Sequence, residues 1–367
     1  MNILVAMDSF KGSLSSLEAG NAVKEGILSA SPEHNVTVLP LADGGEGTLR
    51  ALVDGLSGTY KTKAVTGPDG KKVNASYGIV NNDTAVIEMA EASGLTLVEH
   101  NDIMSATSYG TGELIKDALD LGIRKFVIGI GGSATNDGGT GLLSALGVRF
   151  LDSNGQDVPQ GAIGLKTLKQ IDISGIDKRI SESEFKVACD VTNPLLGING
   201  CSHVYAPQKG ATEEQIKDMD EWMRNYSVLT SEVIPEADSE LPGSGAAGGV
   251  GYALRNYLGA TLMSGSKLVF DVTGLTDHIK NADMLITGEG RIDGQSMSGK
   301  GPVEAGKIAK ENGKKAIVFA GCEGNDAMLL LEVFDSYHIL PEVPNFMDRD
   351  VAYHNLMETV RYFFLTM

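Results

Sequence analysis

The chain is poor in cysteine, which argues against two kinds of stabilising site. Only three cysteines occur in 367 residues, and none forms a Cys-x-x-Cys pair. A disulfide framework needs more cysteines at regular spacing, and a thiolate zinc site needs paired ones. We therefore expect a protein of a reducing compartment, without structural disulfides or zinc.

Positive charge and long apolar runs are also scarce. The formal net charge is −18, from 30 basic and 48 acidic residues. Without a basic surplus that could neutralise phosphates, we expect no general affinity for nucleic acid or for an anionic membrane. No apolar run approaches the ~20 residues that span a bilayer, and no signal-peptide pattern opens the chain. We predict a cytoplasmic protein whose partners are small molecules.

Glycine, in contrast, is abundant. The chain has 46 glycines in 367 residues, whereas an average share of about 7% would give roughly half as many. They follow no collagen-like period and form no low-complexity tract, but lie in short loops after apolar runs. Because glycine lets backbone N–H groups approach phosphate oxygens closely, this distribution predicts anion-binding loops.

The two ends of the chain have the pattern of a parallel α/β sheet. A continuous apolar first strand is followed by a helix, whose Ser15 and Glu18 have capping-box spacing, and by a second strand. A similar pattern returns near the C-terminus. The predicted elements are strands over 2–7, 36–40, 282–290 and 315–321 and helices over about 16–29, 49–56 and 306–312.

The middle of the chain has a different pattern. From about Tyr60, polar and apolar residues alternate between turn signals, which indicates antiparallel hairpins. Further elements are predicted here: helices over 107–121 and 142–146 and strands over 125–130, 185–188 and 203–205. The predicted fold class is α/β with two domains. A Rossmann-like parallel-sheet domain is built from both termini (1–60 with 282–367), and a mixed α/β domain (61–281) is inserted into it.

Seven loops combine glycine with charged, hydroxyl or amide residues. Several follow a predicted strand, and ligands of open α/β sheets bind at the carboxyl ends of strands. Carboxylates bind Mg²⁺ or take a proton from an attacking hydroxyl group, and a lysine neutralises charge on a transferring phosphoryl group. Together they predict phosphoryl transfer. The loops are DSFKG (8–12), ADGGEGT (42–48), GIGGSATNDGGTG (129–141), CDVTNPLLG (189–197), APQKGA (206–211), PGSGAAGGVG (242–251) and GEGRIDGQSMSGKGP (288–302).

Two loops also match other nucleotide-binding motifs. Residues 129–134 fit the G-x-G-x-x-A dinucleotide pattern, with Asp152 about twenty residues further on, so a nicotinamide- or flavin-binding turn is the main rival. Against it, the next helix is predicted to begin only near residue 140, and Asp137 would lie beside a pyrophosphate. Residues 294–300 have Walker A spacing, but glycine and proline follow the lysine where a P-loop has serine or threonine. We therefore predict no P-loop.

Two further segments have open alternatives. The 242–248 segment matches G-x-G-x-x-G without a preceding strand, and we interpret it as the N-terminus of a helix from Val250 that faces phosphate. The alternative is a glycine turn packed closely on a sheet. Asp190 directly follows a predicted strand and precedes a proline turn that would fix its direction. Its alternative is a solvated aspartate at a strand end.

In order and approximate spacing, these seven loops resemble those of the glycerate kinase family, the type-1 bacterial group. The matching segments run from residue 8 to residue 296. The resemblance implies transfer of the γ-phosphoryl group of ATP to D-glycerate, with 2-phosphoglycerate favoured over 3-phosphoglycerate. It also implies two α/β domains with the active site in the cleft between them. We expect ATP and Mg²⁺ as cofactors, and a monomer or homodimer.

The chemistry of that reaction suggests roles for individual residues. Cations are needed near the phosphoryl group and the glycerate carboxylate, and a carboxylate must take up a proton or hold the metal. Catalytic candidates are Asp190 first as base or Mg²⁺ ligand, Asp43 second, and the cations Lys11 and Arg291. Substrate-binding candidates are Asp8, Ser9, Lys11, Ser133, Asn136 and Arg291. Phosphate-binding candidates are Gly131, Gly132, Ser133, Gly243, Ser244 and Gly245, and metal candidates are Asp190, Glu289 and Asp293.

Two other functional classes remain open at the level of sequence. One is a dinucleotide-dependent oxidoreductase of a small hydroxy acid, on the strength of the 129–134 pattern. The other is a non-catalytic regulator that binds an anionic metabolite. An enzyme that releases ADP from ATP and glycerate would differ from both.

Overall fold

The computed structural model describes residues 1–42, 47–297 and 299–367. Asp43, the second candidate for the base, lies outside the described residues. The chain forms two compact units. Among the described residues, unit 1 comprises 1–42, 50–57 and 266–367, and unit 2 comprises 47–49 and 58–265.

The elements follow the chain in two series. The strands are β1 Asn2–Met7, β2 Asn35–Pro40, β3 Thr59–Thr66, β4 Lys72–Val80, β5 Thr84–Glu88, β6 Lys125–Gly129, β7 Arg149–Leu151, β8 Gln170–Asp172, β9 Glu184–Ala188, β10 Thr261–Met263, β11 Met284–Ile292, β12 Lys315–Glu323 and β13 Ser336–Ile339. The α-helices are α1 Ser16–Ala30, α2 Thr48–Gly55, α3 Ala90–Ser93, α4 Tyr109–Asp120, α5 Thr140–Ala145, α6 Ala162–Thr167, α7 Cys201–Tyr205, α8 Glu213–Val233, α9 Ala246–Leu258, α10 Gly265–Thr273, α11 Leu275–Asn281, α12 Gly301–Glu311 and α13 Arg349–Thr366.

Unit 1 contains a five-stranded parallel sheet in the order β13-β12-β11-β1-β2. The first strand lies between β11 and β2, and its alternate side chains enter two different apolar cores on the two faces of the sheet, which explains its continuous apolar sequence. The capping box at the start of α1 is confirmed: the Ser15 hydroxyl accepts from the Glu18 N–H, and the Glu18 carboxylate accepts from the Ser15 N–H. Because β1 and β11 pair in parallel, their carboxyl ends are neighbours at one end of the sheet.

Unit 2 contains a six-stranded mixed sheet in the order β10-β9-β6-β5-β4-β3. Strands β3, β4 and β5 pair antiparallel, as the hairpin pattern predicts, and β5, β6, β9 and β10 pair parallel. Phe126 and Phe185 stack on neighbouring strands with ring centroids 4.7 Å apart. The predicted α/β class is confirmed, and the ends of four parallel strands meet at one edge.

The chain leaves unit 2 after Gly265, earlier than the predicted boundary at residue 282. Helices α10 and α11 account for the difference. Their buried side chains Phe270, Leu275 and Ile279 belong to the apolar core that covers β1 and β11. The boundary follows this packing, which no local sequence signal marks.

One predicted strand is wrong. Residues 203–205 lie in helix α7, whose first residues Cys201 and Ser202 are buried. A run of three residues does not distinguish a strand from a partly buried helical turn. In a separate finding, no described helix has both the length and the apolarity needed to cross a membrane.

Candidate active site

The 8–12 loop of unit 1 continues β1 and is tied to the end of β11. The Asp8 N–H donates to the Gly288 carbonyl oxygen at 2.8 Å, and the Asp8 carboxylate accepts from the Ser9 N–H at 2.6 Å. Phe10 is buried, and Gly12 has a φ of 86°, a conformation that glycine adopts without strain. This turn leaves Lys11 exposed at the carboxyl edge of the sheet.

The end of β11 holds two acidic candidates of different character. Glu289 is buried, and its two oxygens bind the Lys300 amine at 2.6 Å and the Ser296 hydroxyl at 3.0 Å. Asp293 is partly exposed, with Oδ2 lying 3.5 Å from the Arg291 guanidinium. Each oxygen of Glu289 therefore already has a protein partner, and one of these partners, Lys300, is not among the predicted site residues.

In unit 2, the 129–141 loop after β6 is held by a buried carboxylate. Asp137 accepts from the Ser108 hydroxyl at 2.7 Å and from three N–H groups, those of Ser108 at 2.9 Å, Gly139 at 3.0 Å and Gly141 at 3.3 Å. Burial raises the pKa of this carboxyl group, against the effect of these donors. Asp137 thus shapes the loop from inside.

The first residues of the same loop face outward. Gly131 and Gly132 are exposed, and neither N–H donates to another described residue. Ser133 is buried beside them, and the Lys209 amine lies 2.8 Å from its hydroxyl oxygen. This corner offers two N–H groups and one hydroxyl group close together, the kind of donor set that binds an anion.

Lys209 was not among the predicted site residues, although its APQKGA loop was among the seven. Only 4% of its surface is exposed, and its amine also lies 2.7 Å from the Thr135 carbonyl oxygen. Burial lowers the pKa of this lysine to about 8. In the sequence it is a lysine between a glutamine and a glycine at a turn, which does not indicate burial.

Asp190 lies at the carboxyl end of β9, as predicted, and is exposed. Its carboxylate accepts from the Gly265 N–H at 3.1 Å, which links it to the residue that follows β10. Gly243 packs against Cys189, the residue before Asp190, since a Cβ at Gly243 would lie 3.0 Å from the Cys189 sulfur. The structure therefore brings together the loops that follow β9, β10 and residue 242.

The 242–249 segment is engaged in packing. The N–H groups of Ser244 and Gly245 donate to the carbonyl oxygens of Leu241 at 3.1 Å and Asn193 at 3.0 Å, and the Ser244 side chain is buried. Both donors are used within the protein, which favours the close-packed glycine turn over the predicted phosphate contact. Residues 247–249 have left-handed backbone angles, so regular helix begins at 250, as predicted.

Asn136 lies in the interior and not at an accessible surface. It is fully buried, and its amide nitrogen donates to the Ser202 hydroxyl at 2.9 Å and contacts the Met219 sulfur at 3.4 Å. These contacts tie the 129–141 loop to α7 and α8. The predicted contact between Asn136 and substrate is not compatible with this position.

The dinucleotide alternative loses its structural basis here. Helix α5 begins at Thr140, well after the glycines at 129–132, so no helix N-terminus lies at the turn itself. Asp152 closes a surface turn by accepting from the N–H groups of Asn154 at 2.7 Å and Gln156 at 3.0 Å. Neither position matches its role in a dinucleotide-binding unit.

The carboxylates fit a metal that is bound mainly through its nucleotide. Within the described ranges, no group of three or more His, Cys, Asp or Glu side chains converges. Mg²⁺ in phosphoryl-transfer sites needs only one or two carboxylates, with phosphates and water completing the shell. Asp190, exposed at a strand end, fits this requirement, whereas Glu289 is occupied by Lys300.

Comparison with known proteins gives one consistent result. The sequence model of the glycerate kinase family matches residues 3–362. The chain is 46% identical to glycerate 2-kinase of Escherichia coli K12 over 89% of this chain and 86% of that protein. It is 41% identical to a glycerate kinase of Haemophilus influenzae over 98% of this chain and 97% of that protein.

The comparison with solved structures agrees with the sequence comparison. A crystal structure of a protein assigned as glycerate kinase 2 from Salmonella typhimurium LT2 is 44% identical in sequence. Its superposition covers 100% of this chain and 98% of that chain, with a TM-score of 0.92. The similarity thus extends over both units and all seven loops.

Proposed function

The chain belongs to the glycerate kinase family and is a phosphotransferase, and from this premise we propose that it transfers the γ-phosphoryl group of Mg-ATP to a hydroxyl group of D-glycerate. The products are ADP and a phosphoglycerate, with 2-phosphoglycerate favoured over 3-phosphoglycerate. The observation that carries the proposal is similarity along nearly the whole chain to proteins named glycerate kinase, one of them a glycerate 2-kinase.

In unit 1, Lys11 and Arg291 are the proposed cations for the glycerate carboxylate and the transferring phosphoryl group. Both are exposed, Lys11 beyond the end of β1 and Arg291 within the last residues of the neighbouring strand β11, and charge-assisted hydrogen bonds suit both anions. Asp8 and Ser9, next to Lys11, are proposed to bind the glycerate hydroxyl groups. Arg291 lies 3.5 Å from Asp293, which orients its guanidinium group.

In unit 2, the proposed anion site is the corner formed by Gly131, Gly132 and Ser133. Exposed N–H groups at a glycine turn stabilise phosphate or carboxylate oxygens without a rearrangement of the backbone. The Ser133 hydroxyl adds a third donor.

Asp190 is the proposed general base or Mg²⁺ ligand. In kinases an aspartate accepts the proton of the attacking hydroxyl group, while carboxylates and phosphates hold the metal. Mg²⁺ would supply neutralisation of the developing negative charge on the phosphates. Asp190 is exposed and oriented by the Gly265 N–H, whereas Glu289 would first have to release Lys300.

The test is an assay of ADP release from purified protein with D-glycerate and Mg-ATP. We expect release that depends on both substrates and stops with EDTA, and phosphorus NMR of the product distinguishes the 2- and 3-phosphates. No release above the ATPase background would contradict the proposal. Binding of both ligands without turnover would favour a regulator, and glycerate-dependent NAD(P)H consumption would favour an oxidoreductase.

A further inference from the structure

Lys209 is a buried lysine for which the proposed reaction has no role so far. Its amine lies 2.8 Å from the Ser133 hydroxyl oxygen and 2.7 Å from the Thr135 carbonyl oxygen. Burying an ammonium group is costly unless its hydrogen bonds are satisfied. Both contacts are made to the 129–141 loop, directly after the exposed glycines.

The ammonium group fixes the direction of the Ser133 hydrogen bond. A protonated lysine has three donors and no acceptor, so the Ser133 oxygen must accept from it. The Ser133 proton then has to point elsewhere, and no described residue accepts it. Only 6% of the surface of Ser133 is exposed, so this proton points from a largely enclosed position.

The neighbouring backbone indicates what could accept that proton. Gly131 and Gly132 are exposed, and a Cβ at Gly131 would have no heavy atom within 4 Å. Open space therefore adjoins Gly131, which is followed directly by the exposed Gly132 and by Ser133. An acceptor-only group such as a carboxylate or phosphoryl oxygen is complementary to the two glycine N–H groups and the Ser133 hydroxyl.

We propose that Lys209 is a positioning residue, which holds the Ser133 hydroxyl as a donor towards an anionic substrate oxygen bound at Gly131 and Gly132. This inference rests on the proposed function. Lys209 does not touch the substrate, but acts through Ser133. Without the ammonium group, no donor from Lys209 fixes the direction of the Ser133 hydroxyl, which can then turn away from the bound anion.

The protonation state of Lys209 supplies an independent readout. The titratable groups that act on its amine are Asp137, from the same loop, and Cys201, at the start of α7. Burial raises the pKa of the Cys201 thiol to about 11, so this group stays neutral near pH 8. Lys209 loses its proton with a pKa of about 8, and the neutral amine can accept the Ser133 proton, which turns the hydroxyl inward.

The decisive experiment is a double-mutant cycle with Lys209→Met, Ser133→Ala and the combined variant. Each single change should lower kcat/KM by about 10²-fold, as expected for loss of one preorganised donor. The combined variant should lose no more than either single one, because both changes remove the same donor. Losses that multiply to about 10⁴-fold would overturn the proposal.

The pH profile separates positioning from support of the loop. Wild-type kcat/KM should fall above pH 8, and this fall should be absent in Ser133→Ala, which keeps the lysine. A fall that persists unchanged in Ser133→Ala would contradict the proposal. This pH test does not use Lys209→Met, so it applies even if that variant does not fold. The matched control is Lys169→Met, at an exposed lysine of the same unit, which should leave both the profile and the rate unchanged.

Anion binding distinguishes failure of this inference from failure of the proposed function. Inorganic phosphate should raise the Tm of the wild type. In all three variants the rise should be smaller than in the wild type and of the same size. If the wild type releases no ADP with glycerate but keeps this pattern, the reaction is wrong and the Lys209–Ser133 role stands. If the wild type releases ADP but the variants differ from one another in their Tm response to phosphate, the proposed reaction stands and the Lys209–Ser133 role is wrong.

Discussion

At the scale of single residues, the acidic side chains at the strand ends differ in how far they are exposed to solvent. Glu289 is buried, with one oxygen bound by Lys300 and the other by Ser296. Asp190 is exposed, with its Oδ1 held by a backbone N–H. An exposed carboxylate at a strand end is accessible to a proton or a metal ion, whereas Glu289 is buried and paired with Lys300, which favours Asp190.

Replacing Asp190 tests this difference. Asp190→Asn keeps the shape and can still accept from the Gly265 N–H, but it removes the charge that a base or Mg²⁺ ligand needs. We expect kcat to fall by at least ~10²-fold, with an unchanged unfolding midpoint in urea. The matched control, Asp218→Asn on the exposed face of α8, should retain wild-type turnover. Near-normal turnover of Asp190→Asn would exclude both roles.

Lys11 is tested in the same way for an exposed cation. Lys11→Ala removes a charge that we expect to stabilise the transferring phosphoryl group or the glycerate carboxylate, and kcat should fall by at least ~10²-fold. Lys267→Ala, at another exposed lysine of unit 1, is the control. If only KM for glycerate rises while kcat is retained, Lys11 binds the carboxylate and takes no part in the transition state.

At the scale of elements, an ion pair joins the start of α1 to the start of α13, which is distant in sequence. The Glu18 carboxylate completes the capping box and also accepts from the Arg349 guanidinium at 2.6 Å, where α13 begins. Partial burial works against the charged form, but the hydrogen bonds of Ser15 and Arg349 outweigh it and lower the pKa of Glu18 to about 2. One carboxylate thus stabilises both helix ends.

This pairing predicts a pH dependence of stability. Because the folded-state pKa of Glu18 lies below its ordinary value of 4.5, the charged form contributes stability above pH 4.5 that is lost as the pH falls towards 2. Glu18→Gln should therefore lower the free energy of unfolding at pH 6 and differ less from the wild type at pH 3, as measured in urea. Glu311→Gln, at an exposed position, is the control. A difference that is equal at both pH values would exclude the charge effect.

Helix prediction succeeded where the local signals were strong. The capping residues and apolar face of α1 are confirmed, and the hairpins β3–β5 follow their turn residues. Helix α8 is missing from the predicted elements, although Thr212 and Gln215 form a capping box and Met219, Met223 and Tyr226 share one buried face. This helical signal is present in the sequence, but it lies outside the seven glycine-containing loops.

At the scale of the whole molecule, the fold class followed from the order of the patterns, because alternating strands and helices favour a parallel sheet. The site was less predictable. The loops were found by composition, but burial separates Asn136, Ser244 and Lys209 from the exposed candidates. Burial depends on packing between segments far apart in sequence, such as Ser133 with Lys209, and a single sequence does not contain that information in local form.

The strand order of unit 1 has a consequence for how the protein is made. Strand β1 lies between β2 and β11, and β11 begins only at Met284. During synthesis the whole of unit 2 leaves the ribosome before the central pair of this sheet can form. Strand β1 therefore lacks its β11 partner, and has one unpaired edge, until most of the chain has been synthesised. Slow elongation or truncation before β11 would leave an aggregation-prone edge exposed.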